Sequence, residues 1–271
     1  MSFYTSLSGL KNAQTDLGAI AHNIANAETN GFKKSNTQFA DIVAGNSFTD
    51  PRMIKGIGAT VTGIVQDFGL GAIEQTGGAT DLAISGNGFF AVRGAESGRV
   101  AYTRNGAFEI DGGGFLHDGA NNRLQMSEVD AAGQPTNPGV TIDAHIPAVN
   151  GAGSDLAGVS INKDGGINAA YADGSIETVG RVALASFIAP TGLRQLGSSK
   201  WEATGQSGAA ELGVPGVGRY GQLLSGNIER SNVDLAEEMV SLITAQRNFQ
   251  ANAKAIDTAT QLSQTIINLR T

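Results

Sequence analysis

Cysteine is absent from all 271 residues, which excludes disulfides, thiolate metal sites and cysteine nucleophiles together. Such a chain can cross into an oxidising space without mispairing. Proline is scarce, at six residues, while glycine reaches 38, about twice its usual share of roughly 7%. Apolar residues make up 41%, too many for a disordered low-complexity chain. Glycine without proline therefore reads as many tight turns between short strands. Basic residues are outnumbered, 18 against 25 acidic, for a net charge of −7. With no Lys/Arg cluster, this balance argues against nucleic acid and anionic membrane as partners. No apolar run approaches the roughly 18 residues that a membrane-spanning helix needs, so no membrane insertion is expected. The opening Met1–Leu10 lacks the basic region and apolar core of a secretory signal, so no cleaved signal peptide is expected, and any exit from the cytoplasm takes another route.

Catalytic chemistry is also missing. His22, His117 and His145 have no ligand spacing among them, so no metal site is expected. The runs Gly86-Asn87-Gly88 and Gly112–Gly114 are not followed by a helix carrying a basic residue, which makes them turns rather than phosphate cradles. Glu237 and Glu238 are adjacent, so on a helix they point apart, and a helix's first turn explains them. Ser6, Ser8 and Ser85 lack a nucleophile elbow. The reading is of a protein that is not an enzyme and holds no cofactor.

What the chain does have is a helix signal at each end. From about Ser2 to Ala27, Phe3, Leu7, Leu10, Leu17, Ala21 and Ile24 fall on one side, with Gln14 the polar exception; Ser2 can cap the helix. From about Val233 to Arg270 the apolar side is Leu235, Met239, Leu242, Phe249, Ala253, Ile256, Leu262, Ile266 and Leu269. Ser231, Asn232 or Asp234 can cap it, and Glu237 and Glu238 suit its first turn. The second helix runs on towards Thr271 without a stop signal, so its end should be ordered only in an assembly. Two stripes at opposite ends can pair with each other and with further copies, the layout of a subunit that polymerises.

Between them lies β structure. Asp81–Val92 reads as strand, glycine turn, strand, and Arg104-Asn105-Gly106 within Arg99–Ile110 reads as a hairpin turn. Asp111–Gly114 and Asp118-Gly119 supply further turns. A loop over Ala131–Gly158 divides the region. Lys163–Gly166 and Ala172–Gly174 form the tips of a second block that ends in a strand over Gly180–Ala189. The expected class is α+β: terminal helices pairing as a coiled coil around a glycine-rich, mainly antiparallel β middle. The expected division is residues 1–30 as an N-terminal inner-core helix, 31–75 as an extended or β linking segment, 76–220 as a β-rich outer domain, and 221–271 as a linking turn and C-terminal inner-core helix.

Motifs at both ends resemble the hook and rod family, the axial proteins of the bacterial flagellum. The N-terminal one is His22-Asn23-Ile24-Ala25-Asn26-Ala27-Glu28-Thr29-Asn30-Gly31-Phe32-Lys33. The C-terminal one runs Gly226–Leu235, including Ser231, Asn232 and Val233, then Glu238-Met239-Val240 and Ile243–Phe249 with Gln246 and Arg247. Interior matches are Thr76-Gly77 through Asp81–Ile84 to Gly88-Phe89-Phe90, then Tyr102–Gly106 with Phe108, and Ala185-Ser186-Phe187.

The resemblance implies a homopolymer of many copies, exported by the flagellar type III apparatus and placed in the hook outside the cell or in the rod between periplasm and outer membrane. It implies that the terminal helices pair on incorporation and line a hollow tube, and that Phe3, Leu7, Leu10, Leu17, Ile24 and the apolar residues of the last helix form subunit interfaces. It implies further that Asn23, Asn26, Gly31, Phe32 and Lys33 shape the turn out of the inner helix, and that Gln246, Arg247 and Asn252 make polar contacts between helices or with the lumen. Rod, hook-cap and hook–filament junction proteins are the implied neighbours. The opening ten residues, Gly63–Phe68 and the ending Asn268-Leu269-Arg270 look more like hook than distal rod protein. The length is closer to distal rod protein, and Asn46–Ala59 lies where rod proteins carry an extension associated with stiffness. A short hook subunit with one β domain reconciles the two.

Overall fold

The computed structural model describes residues 2–44, 50, 52, 54–130, 134, 136–137 and 139–269, with backbone alone at Ser2. The expected cap at Ser2, the end at Arg270, positions 46–49, 51 and 53 of Asn46–Ala59, and positions 131–133, 135 and 138 of the expected loop lie outside the described residues. The chain divides into two compact units. Unit one is Met1–Ala27, Lys34–Asp67 and Val233–Thr271; unit two is Glu28–Lys33 and Phe68–Asn232.

Unit one contains two long helices, α1 (Ser2–Ala25) and α2 (Leu235–Asn268). Of the candidate caps for α2, Asp234 serves: its carboxylate accepts from the amides of Ala236 at 2.8 Å and Glu237 at 3.2 Å. Glu237 and Glu238 then sit in the first turn, near the positive end of the helix dipole. The helices pack on each other. Strands β1 (Ser35–Ala44) and β2 (Lys55–Gln66) form an antiparallel hairpin whose register runs from Ser35 opposite Gln66 to Ala44 opposite Lys55. Burial in β2 alternates from Thr60 to Ile64, with Val61 and Gly63 the more covered, as a one-sided sheet requires. The hairpin rests against α1.

Unit two is β throughout. Among the described residues a thirteen-stranded sheet follows the order Leu156–Ile161, Gly166–Tyr171, Ile176–Val182, Asn122–Ser127, Phe89–Gly94, Val100–Thr103, Lys200–Glu202 and Arg194–Gly197, with shorter strands beside this path. Its recorded pairings are antiparallel. Phe89-Phe90-Ala91-Val92 is apolar without alternation because both of its faces are covered. Phe90 and Val92 join the larger core with Leu116, Leu124, Ile167, Val182 and Leu184, while Phe89 and Ala91 join Tyr102, Phe187 and Trp201.

The Asp-Gly tips fall where the sequence places them, between Glu109–Ile110 and Leu116–His117, and at both ends of Gly166–Tyr171. Two local readings need correction. Leu82–Ser85 and Phe89–Gly94 flank a glycine turn but do not pair; the first pairs with Gln222–Ser225. Arg104-Asn105-Gly106 is no hairpin tip, because Val100–Thr103 pairs with Phe89–Gly94 and with Lys200–Glu202. The chain there turns inward instead, with Arg104 buried and the carbonyl of Gly106 accepting from the Leu82 amide at 2.9 Å. The expected strand over Gly180–Ala189 is two strands, Ile176–Val182 and Leu184–Ser186.

Candidate assembly surfaces

On α2, Glu238, Leu242, Ala245, Phe249, Asn252, Ile256 and Ala259 recur at alternating steps of four and three, and each is buried or half-buried. That is the cadence of a helix held along one stripe by a neighbour. Leu7, Leu10, Leu17 and Ile24 of α1 are half-buried, with Ala13 and Ile20 buried beside them. Gly9 lies against Asn252: a Cβ on Gly9 would come 2.5 Å from the Asn252 side-chain oxygen. At the other end of α1, Asn23 is almost fully buried. Its Nδ2 donates to the Ser35 carbonyl at 2.9 Å and to Glu238 Oε2 at 3.2 Å, and its Oδ1 accepts from the Ser35 amide at 2.8 Å. Asn26 donates to the His22 carbonyl at 2.9 Å, closing the last turn.

The remaining apolar residues expected at interfaces face water in the single chain. Phe3, Leu235 and Met239 are exposed; Leu262 and Ile266 are each 65% exposed and Leu269 81%. Gln246 and Arg247 are exposed as well.

In unit two the terminal and interior motifs meet at one buried carboxylate. Glu229 and Lys33 have fully buried side chains, with Lys33 Nζ 2.5 Å from Glu229 Oε1. Arg104 Nη1 donates to Glu229 Oε2 at 3.2 Å and its Nη2 to the Gly86 carbonyl at 2.9 Å. The Gly71 amide donates to Glu229 Oε1 at 3.0 Å, and Lys33 Nζ also donates to the Gly69 carbonyl at 2.6 Å. Burial draws the Arg104 guanidinium pKa below its ordinary value, against the opposing charge and hydrogen bond of Glu229. Phe32 is buried beside this cluster's lysine. Gly31 adopts a left-handed φ of +66° and donates its amide to the Glu229 carbonyl at 2.8 Å. A Cβ at Gly31 would strike the Asn105 backbone, so both the dihedral and the space require glycine.

Every point where the chain passes between the units is tied, on the unit-two side, to this cluster or its neighbours. Arg230 forms an ion pair with Glu28, Lys33 holds Glu229 and Gly69, and Asn232 Nδ2 donates to the Gly69 carbonyl at 3.3 Å. Ser231 is buried, while Thr29 and Val233 are partly covered. Arg104 and Glu229 stand inside the motifs at Tyr102–Gly106 and Gly226–Leu235, and their pairing across 125 residues is not visible in either. The available signal is a charged residue following Ile228 in an otherwise uncharged run, Leu223–Ile228.

Among the described residues, no group of three or more His, Cys, Asp and Glu is placed to hold a metal ion, and no helix is long and apolar enough to cross a membrane.

Three family models match the chain: flagella basal body rod protein over residues 3–33, the flagellar hook protein FlgE/F/G D1 domain over 83–169, and the flagellar basal body rod FlgEFG protein C-terminal region over 224–269. The chain is 36% identical to the flagellar basal-body rod protein FlgG of Bacillus subtilis, covering 99% of this chain and 98% of the relative. It is 33% identical to FlgG of Caulobacter vibrioides over 98% of both. With the flagellar hook protein FlgE of Salmonella typhimurium it shares 28% identity across an alignment of 411 positions that covers both chains completely. The chain therefore belongs to the hook and rod family of the bacterial flagellum, whose members are structural components and not enzymes.

Proposed function

We propose that this chain is a subunit of the flagellar hook, polymerising in many copies into a hollow, flexible, curved tube that transmits torque from rod to filament. The observation that carries polymerisation is the apolar surface on the far half of α2: Leu262, Ile266, Ile267 and Leu269 all face water in a single chain. Covering such surface contributes about 25 cal/mol per Å² removed from water, and a second helix of the same kind supplies the cover. In this reading α1 and α2 form the inner wall as a coiled coil. Residues 1–30 and 221–271 make the inner core, 31–75 the link, and 76–220 the outer layer. Phe3, Leu235 and Met239 join the stripe between copies, and Gln246 and Arg247 make polar contacts between helices or with the lumen. The subunit leaves the cell through the flagellar type III apparatus and meets rod, hook-cap and junction proteins at the ends of the tube.

The opening decapeptide, Gly63–Phe68 and the ending Asn268–Arg270 support hook. A second reading, a subunit of the straight distal rod, is favoured by length. The alignment with the rod relative of Bacillus subtilis spans 282 positions, close to the length of this chain, whereas that with the hook relative of Salmonella typhimurium spans 411, many of them without a counterpart here.

Immunogold labelling of isolated basal bodies, viewed by electron microscopy, separates the readings. Gold on the curved segment outside the outer ring is the expected result. Gold confined to the straight shaft between the rings makes this a rod subunit, and gold on neither overturns the axial reading. Removing the residues after Asn232 should leave the chain exported yet unable to polymerise.

A further inference from the structure

Unit two holds a cleft of about 590 Å³ that its own packing does not close. Its floor is aromatic: Phe89 meets Phe68 at 5.4 Å and Phe187 at 5.7 Å between ring centroids, edge to face. Arg104 lines it at 3% exposure; both terminal nitrogens are engaged, but its buried Nε–H has no hydrogen-bond partner. Arg219, half-exposed, also lines the cleft and shares its charge with Glu211 at 3.1 Å. Ile188 is in the lining as well, at 77% exposure. Apolar floor and exposed cation together suit an aliphatic side chain with a carboxylate beside it.

The same unit displays that combination on a different surface. The tip between strands Gly166–Tyr171 and Ile176–Val182 presents Ile176 at 70% exposure, between exposed Asp173 and Glu177. The tip is ordered in advance. Asp173 Oδ1 accepts from the Ser175 amide at 2.9 Å and hydroxyl at 2.6 Å, its Oδ2 accepts from Asn150 Nδ2 at 2.8 Å, and Gly174 donates to the Tyr171 carbonyl at 2.9 Å. A tip already held in one shape loses little freedom when it docks.

We propose that the Asp173–Glu177 tip of one copy seats in the aromatic cleft of a second copy, with Ile176 against the phenylalanines and Glu177, on the opposite face of the tip, towards the exposed Arg219. Tip and cleft are different patches, so the contact is head-to-tail, and a contact of that kind propagates into an open helical array when its rotation does not close. This inference rests on the reading of the chain as a polymerising subunit.

The absence of native cysteine makes the test direct. The Ile176→Cys, Ile188→Cys double variant is polymerised beside the wild-type chain, oxidised mildly and run on a non-reducing gel. A ladder of covalent oligomers is expected from the double variant, a dimer from an equal mixture of the two single variants, and neither from each single variant alone. Polymer without a ladder, or equal crosslinking by one single variant, overturns the docking. A wild-type chain that never polymerises overturns the parent reading instead. Charge exchange gives an independent readout should the cysteine variants fail to fold. Glu177→Arg alone raises the critical concentration for polymerisation about tenfold, and adding Arg219→Glu restores it; no recovery in the pair overturns the contact.

Discussion

Asn252 of α2 stands where a side chain on Gly9 of α1 would project. Two heptads further along α1 and two heptads back along α2, Asn23 reaches Glu238 at 3.2 Å. The equal spacing follows from two helices lying antiparallel and side by side. Polar residues within an otherwise apolar seam fix register, because a slip leaves each of them facing a partner of the wrong kind.

Gly9→Val should therefore lower stability by about 1–3 kcal/mol, the usual cost of overpacking. Thermal unfolding followed by the helical circular dichroism signal measures it. Asn252→Ala in the same chain should recover most of the loss. No recovery would place the strain elsewhere than at this crossing.

Glu229→Ala should lower stability by about 3–5 kcal/mol, since it strands two buried cations, Lys33 and Arg104. Urea unfolding is the measurement. Lys33→Met should cost less, because Arg104 and the Gly71 amide still compensate the carboxylate. Equal losses from both variants would contradict the idea that the carboxylate organises the cluster.

Asp173 is held at a pKa of about 2 by the Ser175 hydroxyl, the Ser175 amide and Asn150, from an ordinary value of 3.8. A carboxyl depressed in the folded state adds stability that is fully present above its unfolded value and is lost as pH falls towards the folded one. Wild-type and Asp173→Asn chains should thus differ in stability above about pH 4 and converge as pH approaches 2. Urea unfolding across that window tests it; parallel profiles would assign the acid sensitivity to other carboxylates.

Ile266→Glu should change monomer stability by no more than about 0.5 kcal/mol, as expected at an exposed helix site. The same substitution should raise the critical concentration for polymerisation about tenfold or more. A variant that polymerises normally would remove Ile266 from the interface.

The terminal helices are legible in the sequence because their apolar period is sustained over many turns, and the Asp-Gly tips because glycine there answers a local backbone demand. The seam is less so. In α2 it passes through Glu238, Ala245 and Asn252, which hydropathy does not mark, while Leu235 and Met239, which it does mark, face water. Arg104-Asn105-Gly106 carries the strongest local hairpin signal, yet tertiary pairing and a buried charge decide its conformation. The cluster at Glu229 is legible only as quoted motifs, since Lys33, Gly69, Arg104 and Glu229 are distant in sequence and meet through the fold alone.

The ties among Glu28, Lys33, Gly69, Glu229, Arg230 and Asn232 also fix where mechanical tension can travel. A pull arriving along the chain enters unit two and leaves it through the same small patch, so the strands remote from the patch need not part for the tension to pass. Strands and loops remote from the patch can then be lengthened or pared back while these ties keep their partners.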